Sequence, residues 1–129
     1  MRSYVLDASA FIKGAVPDRG RLYTVPEVVD ELRDPLSRAR FETAPVHVRE
    51  PAGWAVRRAR RRARLTGDAD RLSITDLKVL ALAVELRSEG RDVTIISSDY
   101  ALQNVARSLK LDVYGPVHGE IREVRGPTR

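Results

Sequence analysis

Four acidic side chains lie at the ends of apolar stretches, and their type and spacing are suited to chemistry. They are Asp7, Glu31, Asp76 and Asp99. Asp7 and Asp99 each follow a run that predicts a strand and precede a run that predicts a helix. In an open parallel sheet, this edge is where sites form. Cysteine is absent, and neither His47 nor His118 belongs to an acidic stretch, so the available donors are carboxylate oxygens, which suit Mg²⁺ or Mn²⁺.

Each acid also has a structural explanation when it is taken singly. Asp76 follows Ser73 by three residues, which is the spacing of a capping box. Asp7 can cap the helix that follows it, Asp99 can be a first-turn acid that the helix dipole favours, and Glu31 can be a solvated helix residue. Gathering all four raises their pKa values, because like charges repel. A bound cation removes that cost, so the combination favours a metal site.

A dense run of arginines is the second chemical feature. Six arginines fall within eight residues of a stretch, 51–65, that predicts a helix: Arg57, Arg58, Arg60, Arg61, Arg62 and Arg64. Such a run repels itself unless a polyanion is near, so contact with an RNA backbone is the simplest interpretation and a solvated face is the alternative. Trp54 at the start of the helix is predicted to pack in the core rather than to stack on a base.

Composition places the chain among globular proteins. With 129 residues and 43% apolar residues, it predicts one domain over residues 1–129. No apolar run is long enough to span a membrane, and no signal peptide is evident. The absence of cysteine fits a cytoplasmic location. The net charge is +5, and only three of the 23 basic residues are lysines; an RNA partner is one explanation, and genome composition or growth temperature is the other.

The elements that must position these groups alternate between strands and helices. Strands are predicted at 3–7, 22–25, 46–50, 93–97, 113–114 and 121–124. Helices are predicted at 8–13, from Pro26 until Pro35 ends or kinks it, at 51–65, at 74–88 and at 99–109. This order predicts an α/β fold with a central, mainly parallel sheet.

The four acids and their neighbours resemble the landmarks of PIN-domain ribonucleases. The matching segments are LDASAFI at 6–12, VVDELRD at 28–34, LSITD at 72–76 and SSDY at 97–100. Within that family, the chain most resembles the branch that matures the 3′ end of precursor small-subunit rRNA. That narrower resemblance is carried by ELRD at 31–34, TGD at 66–68 and DYALQNVA at 99–106. It covers residues 3 to about 115.

The resemblance implies a fold, a chemistry and a set of roles. The fold is a PIN-like α/β/α sandwich, and the activity is metal-dependent cleavage of RNA by an endoribonuclease. Asp7, Glu31, Asp76 and Asp99 would be catalytic and hold one or two Mg²⁺ or Mn²⁺ ions. Three hydroxyl residues would orient carboxylates or metal-bound waters: Ser9, Thr75 and Ser98. Asn104 would face RNA or cap the packing of its helix. Members of this branch usually carry a C-terminal zinc ribbon, which a sequence without cysteine does not contain.

Two other functions fit the same residues. One is a toxin ribonuclease neutralised by an antitoxin protein, which shares the fold and the acids. The other is a non-catalytic RNA-binding PIN domain that serves as a scaffold, although a scaffold has no reason to keep four clustered acids. The expected partner is precursor rRNA on the small ribosomal subunit, and a homodimer is a further expected assembly.

Overall fold

Five parallel strands form the single sheet of the computed structural model, which describes residues 1–116. The strands are β1 (Arg2–Leu6), β2 (Arg21–Thr24), β3 (Val46–Val48), β4 (Asp92–Ile96) and β5 (Asp112–Tyr114). The helices are α1 (Ala8–Ile12), α2 (Pro26–Glu31), α3 (Pro35–Thr43), α4 (Gly53–Thr66), α5 (Ile74–Ser88) and α6 (Tyr100–Ser108), with a 3-10 turn at Ala69–Arg71. The strand predicted at 121–124 and His118 lie outside the described residues.

The strand order places β1 at the centre. Its neighbours are β2 on one side and β4 on the other, in the order β3-β2-β1-β4-β5. The chain therefore moves outward from β1 to β3 and then returns across β1 to begin β4. The carboxyl ends of β1 and β4 consequently meet at a topological switch point, where open parallel sheets bind ligands. The prediction of an α/β fold with a mainly parallel sheet is confirmed.

The helices pack in two groups. Helices α4, α5 and α6 contact one another, and α5 also lies on β1 and β4; α1 contacts β1, α2 and α3. Helix α5 is the most apolar element, and every residue from 79 to 84 is buried. A helix that is buried over most of its circumference fixes the position of its own N-terminus relative to the sheet. Asp76 stands in the first turn of that helix.

Two short elements were not predicted. Pro35 was expected to end or kink the preceding helix, but α2 already ends at Glu31, and Pro35 begins α3 instead. The reason is local: proline suits the first helical position, and the carboxylate of Asp34 accepts the backbone N–H of Ser37 at 3.0 Å. The 3-10 turn after Gly67 was the other omission. No helix within residues 1–116 is long and apolar enough to cross a membrane.

Candidate active site

Asp7 stands where β1 meets α1 and is held from three directions. Its backbone N–H donates to the carbonyl of Ile96 at 3.0 Å. Its side chain accepts the N–H of Ala8 through Oδ1 at 2.8 Å and the hydroxyl of Ser97 through Oδ2 at 2.8 Å. The side chain is buried. Burial raises its pKa from 3.8 to about 6, against the lowering effect of these two hydrogen bonds.

Two of the other acids act on Asp7 electrostatically, and the third, Asp99, acts on Asp76. Burial is the main cause of the raised pKa of Asp7, and the charges of Asp76 and Glu31 raise it further. The pKa of Asp76 is also raised, first by its burial and then by the charges of Asp99 and Glu31. These couplings link Asp7, Glu31, Asp76 and Asp99, and we name this set the acidic edge.

Like Asp7, which caps α1, two further members of the acidic edge take part in capping a helix. Asp76 forms the predicted capping box: it accepts the N–H of Ser73 at 2.8 Å, and Ser73 accepts the N–H of Asp76 at 3.1 Å. Asp99 accepts the N–H of Leu102 at 3.1 Å through Oδ1. Within residues 1–116, the second carboxylate oxygen of each accepts no hydrogen bond. Capping therefore fixes each side chain and leaves one of its oxygens available to a ligand.

The acidic edge is not a closed metal cage. Within residues 1–116, no group of three or more His, Cys, Asp or Glu side chains is arranged so that it could hold a metal ion. Mg²⁺, however, commonly binds proteins through only one or two carboxylates and completes its shell with waters and substrate phosphates. The residues present fit such an ion, because all the donors are hard oxygens and because a cation would offset the burial of Asp7 and Asp76.

The hydroxyl that contacts Asp7 belongs to Ser97, which sequence reasoning missed. Ser97 donates to Asp7 and accepts the backbone N–H of Asp99 at 3.1 Å, so it joins two acids. Ser98, which was predicted for this kind of role, contributes its backbone N–H to the hydroxyl of Ser9 at 3.0 Å. The parallel register pairs Leu6 with Ile96, and one further step sets Ser97 beside Asp7. Choosing between the adjacent serines requires that register.

Two surface cavities flank the acidic edge. One, of about 380 Å³, is lined by Glu27, Asp30, Glu31, Arg33 and Thr75. The other, of about 580 Å³, is lined by Asp68, Arg71, Asp99, Tyr100, Ala101 and Asn104. The structure thus places the predicted residue Thr75 beside Glu31. Asn104 lies beside Asp99, and its side-chain amide donates to the carboxylate of Asp68 at 2.7 Å. Its contact with RNA stays a prediction.

The predicted arginine helix is α4, and the face that it packs against the rest of the protein consists of alanines. Ala55, Ala59 and Ala63 are buried at successive turns of one face. Four of the six arginines are exposed, and Arg60 and Arg62 are half-buried. A groove of about 700 Å³, which we name the arginine groove, is lined by Trp54, Arg57, Arg58, Arg61, Arg62, Leu65 and Leu109. Trp54 is 41% exposed there, so its indole is more accessible than the predicted packing role requires.

Comparison with known proteins agrees with this geometry. Residues 4–86 match the family described as the PIN domain of ribonuclease. The chain belongs to the PIN-domain family of ribonucleases. Endoribonuclease Nob1 of Archaeoglobus fulgidus is 39% identical to it over 118 residues, which make up 92% of this chain and 70% of that protein. Ribonuclease VapC3 of Aeropyrum pernix is 45% identical over 116 residues, or 84% of this chain and 82% of that protein. The RNA-binding protein NOB1 of Mus musculus is 36% identical over 82% of this chain but only 27% of its own length.

The PIN-domain match contains three members of the acidic edge. Asp7, Glu31 and Asp76 lie within residues 4–86, and Asp99 follows them. The match to the Archaeoglobus protein covers 92% of the chain. The unmatched residues are too few to extend from the carboxyl terminus back to Asp99, so Asp99 lies within the match. In this PIN-domain protein, β4 pairs with β1 in the sheet, so the segment that carries Asp99 lies beside the segment that carries Asp7.

Proposed function

We propose that this PIN-domain protein is a Mg²⁺- or Mn²⁺-dependent endoribonuclease that cleaves precursor small-subunit rRNA in the maturation of its 3′ end. The acidic edge at the β1–β4 switch point carries the proposal. Electrostatic coupling links the four acids, and burial together with mutual repulsion raises the pKa of two of them. A protein that did not use these charges would gain stability by losing them.

The four acids would hold the ion in different ways. Asp7 is buried and fixed by two hydrogen bonds, so it supplies an immobile negative charge. Asp76 and Asp99 are positioned by their caps, and each presents an oxygen with no partner among residues 1–116. Glu31 is exposed at the end of α2, so it can approach an ion or its waters. An ion held by these residues would supply activation of a water for attack on the phosphodiester and neutralisation of charge on the leaving oxygen.

The arginine groove would supply affinity for RNA. Arginine binds phosphate oxygens with two parallel hydrogen bonds, and the exposed part of Trp54 offers a surface for an unstacked base. The groove is connected to the acidic edge by a short path. Helix α4 ends at Thr66 and is capped by Gly67, and the next residue, Asp68, lines the cavity that contains Asp99. The carboxyl end of α4 therefore lies near the acidic edge.

The names of the relatives support this assignment over its alternatives. Several are endoribonucleases named Nob1, and the sequence motif at 99–106 resembles the rRNA-maturing branch. The toxin ribonuclease is the second candidate, since ribonuclease VapC3 is 45% identical to the chain; it implies an antitoxin partner. Residues 1–129 are proposed to form one nuclease domain, because a single sheet and a single core account for residues 1–116.

A cleavage assay with two matched aspartates tests the proposal. Asp92 begins β4 and is exposed, whereas Asp99 follows the other end of the same strand. Wild type and Asp92→Asn should cleave a precursor rRNA 3′ fragment in Mn²⁺ or Mg²⁺. Neither protein should cleave it in EDTA. Asp99→Asn should bind the same RNA at least as tightly and leave it uncut. Equal cleavage by the two variants, or cleavage by wild type in EDTA, would refute the metal-dependent mechanism.

The substrate is tested separately. A fragment that spans the mature 3′ end should be cut at one position, and a fragment of the same length and composition but shuffled sequence should not. Cleavage of both at many positions would contradict maturation of rRNA and favour a toxin ribonuclease. An adjacent antitoxin gene would point the same way.

A further inference from the structure

One aromatic side chain beside the acidic edge has no role in the fold. Tyr100 is the first residue of α6 and follows Asp99 directly. It is 85% exposed, whereas Tyr23 is buried and Tyr4 and Tyr114 are half-buried. An exposed tyrosine ring offers a flat apolar face on which a planar partner can stack.

A cation shares the cavity with this ring. Arg71 ends the 3-10 turn, and its side chain is 70% exposed. One of its guanidinium nitrogens lies 3.2 Å from Oδ1 of Asp68. Solvent around the exposed guanidinium of Arg71 weakens this ion pair, although Asp68 is buried. The ion pair does restrict where the guanidinium can point, and the remaining N–H groups stay available to an anion.

Asp68 has the environment of a residue that positions others. It is buried, and its two oxygens are divided between Arg71 and the amide of Asn104, which lies 2.7 Å away. The hydrogen bond from Asn104 lowers the pKa of Asp68, so its charge persists at neutral pH. Asn104 is four residues after Tyr100 and therefore lies on the same helix face. Through Asp68, the guanidinium of Arg71 is aligned with the face of α6 that carries Tyr100.

These side chains and Asp99 line a single cavity of about 580 Å³, which is in the range of about 300–1,000 Å³ typical of small-ligand sites. We infer that Tyr100 and Arg71 form a binding site for one unpaired nucleotide of the RNA substrate. The base stacks on the Tyr100 ring, and the adjoining phosphate pairs with Arg71. The inference deepens the proposed function and depends on it for the identity of the ligand.

The site differs from the arginine groove in what it selects. The groove offers several arginines to a backbone of any sequence. The Tyr100 site takes one base out of the stack, so it requires an unpaired nucleotide beside the cleaved bond. It therefore selects a single-stranded position next to Asp99, whereas the arginine groove only retains the RNA.

Binding of short single-stranded oligoribonucleotides, measured by fluorescence anisotropy in EDTA, tests the site without cleavage. Tyr100→Ala should weaken binding about tenfold, as loss of one base–aromatic stack does, and Tyr100→Phe should bind as wild type does. Arg71→Ala should also weaken binding, whereas Arg19→Ala removes the same charge from an exposed turn and should have a smaller effect. Leu36→Ala removes another exposed apolar side chain and should have none.

An abasic nucleotide moved along the oligonucleotide identifies the stacked base. At one position, it should weaken binding to wild type about tenfold and leave binding to Tyr100→Ala unchanged, because the stack is then already absent. Equal penalties for the two proteins at every position would overturn the inference. If Asp99→Asn abolishes cleavage while Tyr100→Ala binds and cleaves normally, the proposed function stands and the nucleotide site does not. If the abasic coupling is found in a protein that never cleaves, the site stands and the nuclease proposal does not. Absence of any RNA binding would remove both.

Discussion

The acidic edge and the arginine groove carry opposite charges and are built in opposite ways. The acidic edge comes from four separate segments, and two of its carboxylates have raised pKa values because they are buried close to other acids. The arginine groove comes largely from one helix, which contacts the protein through the methyl groups of Ala55, Ala59 and Ala63. The acidic edge depends on the whole fold for its assembly, and its buried charges lower the stability of that fold. The arginine groove is an exposed surface that the fold hardly needs.

This difference separates two kinds of functional residue. Exposed cations on a helix can be replaced one at a time, and each replacement should change affinity by a modest amount. In the proposed reaction the acids act together at one position, so the loss of any one should remove RNA cleavage. The four predictions that follow challenge this distinction, beginning with the largest expected effect.

Neutralising an acid should be far more severe at Glu31 than at its neighbour. Glu31→Gln should reduce RNA cleavage at least about 1,000-fold, or about 4 kcal/mol, because one of the proposed ligands of the metal is lost. Asp30→Asn is the control, since Asp30 is also exposed on α2. Single-turnover cleavage rates in Mn²⁺ measure both. Similar rates for the two variants would place Glu31 outside the site.

Removing the charge of Asp7 should stabilise the metal-free protein at neutral pH. The pKa of Asp7 is raised from 3.8 to about 6 by burial. Its ionisation therefore opposes folding increasingly between about pH 4 and pH 6 and fully above that, by about 3 kcal/mol. The free energy of unfolding of Asp7→Asn should therefore exceed that of wild type by a margin that grows to about this amount as the pH rises from about 4 to 7. The variant should no longer cleave RNA.

Urea unfolding in EDTA across this pH range measures the difference between the two proteins. Effects of groups that titrate in both proteins largely cancel in that difference. A difference that stays constant from about pH 4 to pH 7 would mean that burial does not oppose the ionisation of Asp7. The contrast with the arginine groove would then lose its energetic basis.

Removing two cations from the arginine groove should change affinity without changing the chemistry. Arg57→Ala with Arg61→Ala should weaken RNA binding about tenfold and reduce the slope of log K against log salt by about 1.4, since each contact with a single strand contributes about 0.7. Arg19→Ala with Arg21→Ala removes the same charge from another exposed segment. Binding titrations at several salt concentrations compare the two double variants. Equal slopes of log K against log salt would mean that net charge alone, and not the arginine groove, determines the loss of affinity.

Two adjacent serines should differ in their effect on stability. Ser97→Ala removes the hydroxyl that donates to Asp7 and accepts from Asp99, so it should destabilise the protein by about 1–2 kcal/mol. It should also raise the pKa of Asp7 further, because that hydrogen bond lowers it. Ser98→Ala leaves both contacts in place and should be nearly neutral. Unfolding free energies at about pH 7 test the pair, and a larger loss for Ser98→Ala would restore the residue chosen from sequence.

The sequence was sufficient where local chemistry decides the structure. Asp7 and Asp99 were placed at strand ends because buried strands have short apolar runs, and Asp76 was placed in a capping box because Ser73 has the required spacing. Helix α3 was missed because proline both ends helices and begins them, and only the cap at Asp34 distinguishes the two.

Contacts that depend on tertiary packing were beyond the reach of the sequence. The Asp68–Asn104 hydrogen bond joins residues 36 positions apart. Neither residue type indicates which residue it will contact. Ser97 and Ser98 are equivalent in sequence until the pairing of β1 with β4 sets the register. The exposure of Trp54 likewise follows from how α4 lies on α5 and α6, since an amphipathic helix can pack a residue near its start or leave it exposed.

The central position of β1 has a consequence for biosynthesis. β1 leaves the ribosome first, but one of its two edges stays open until β4 has been translated, because the chain builds β2 and β3 on the other side beforehand. Until then, Asp7 lacks both the Ile96 carbonyl and the Ser97 hydroxyl that fix it. A nascent chain therefore has no assembled acidic edge while it is still attached to a ribosome, which is itself made largely of RNA. The order of the strands delays assembly of the acidic edge until β4 has left the ribosome.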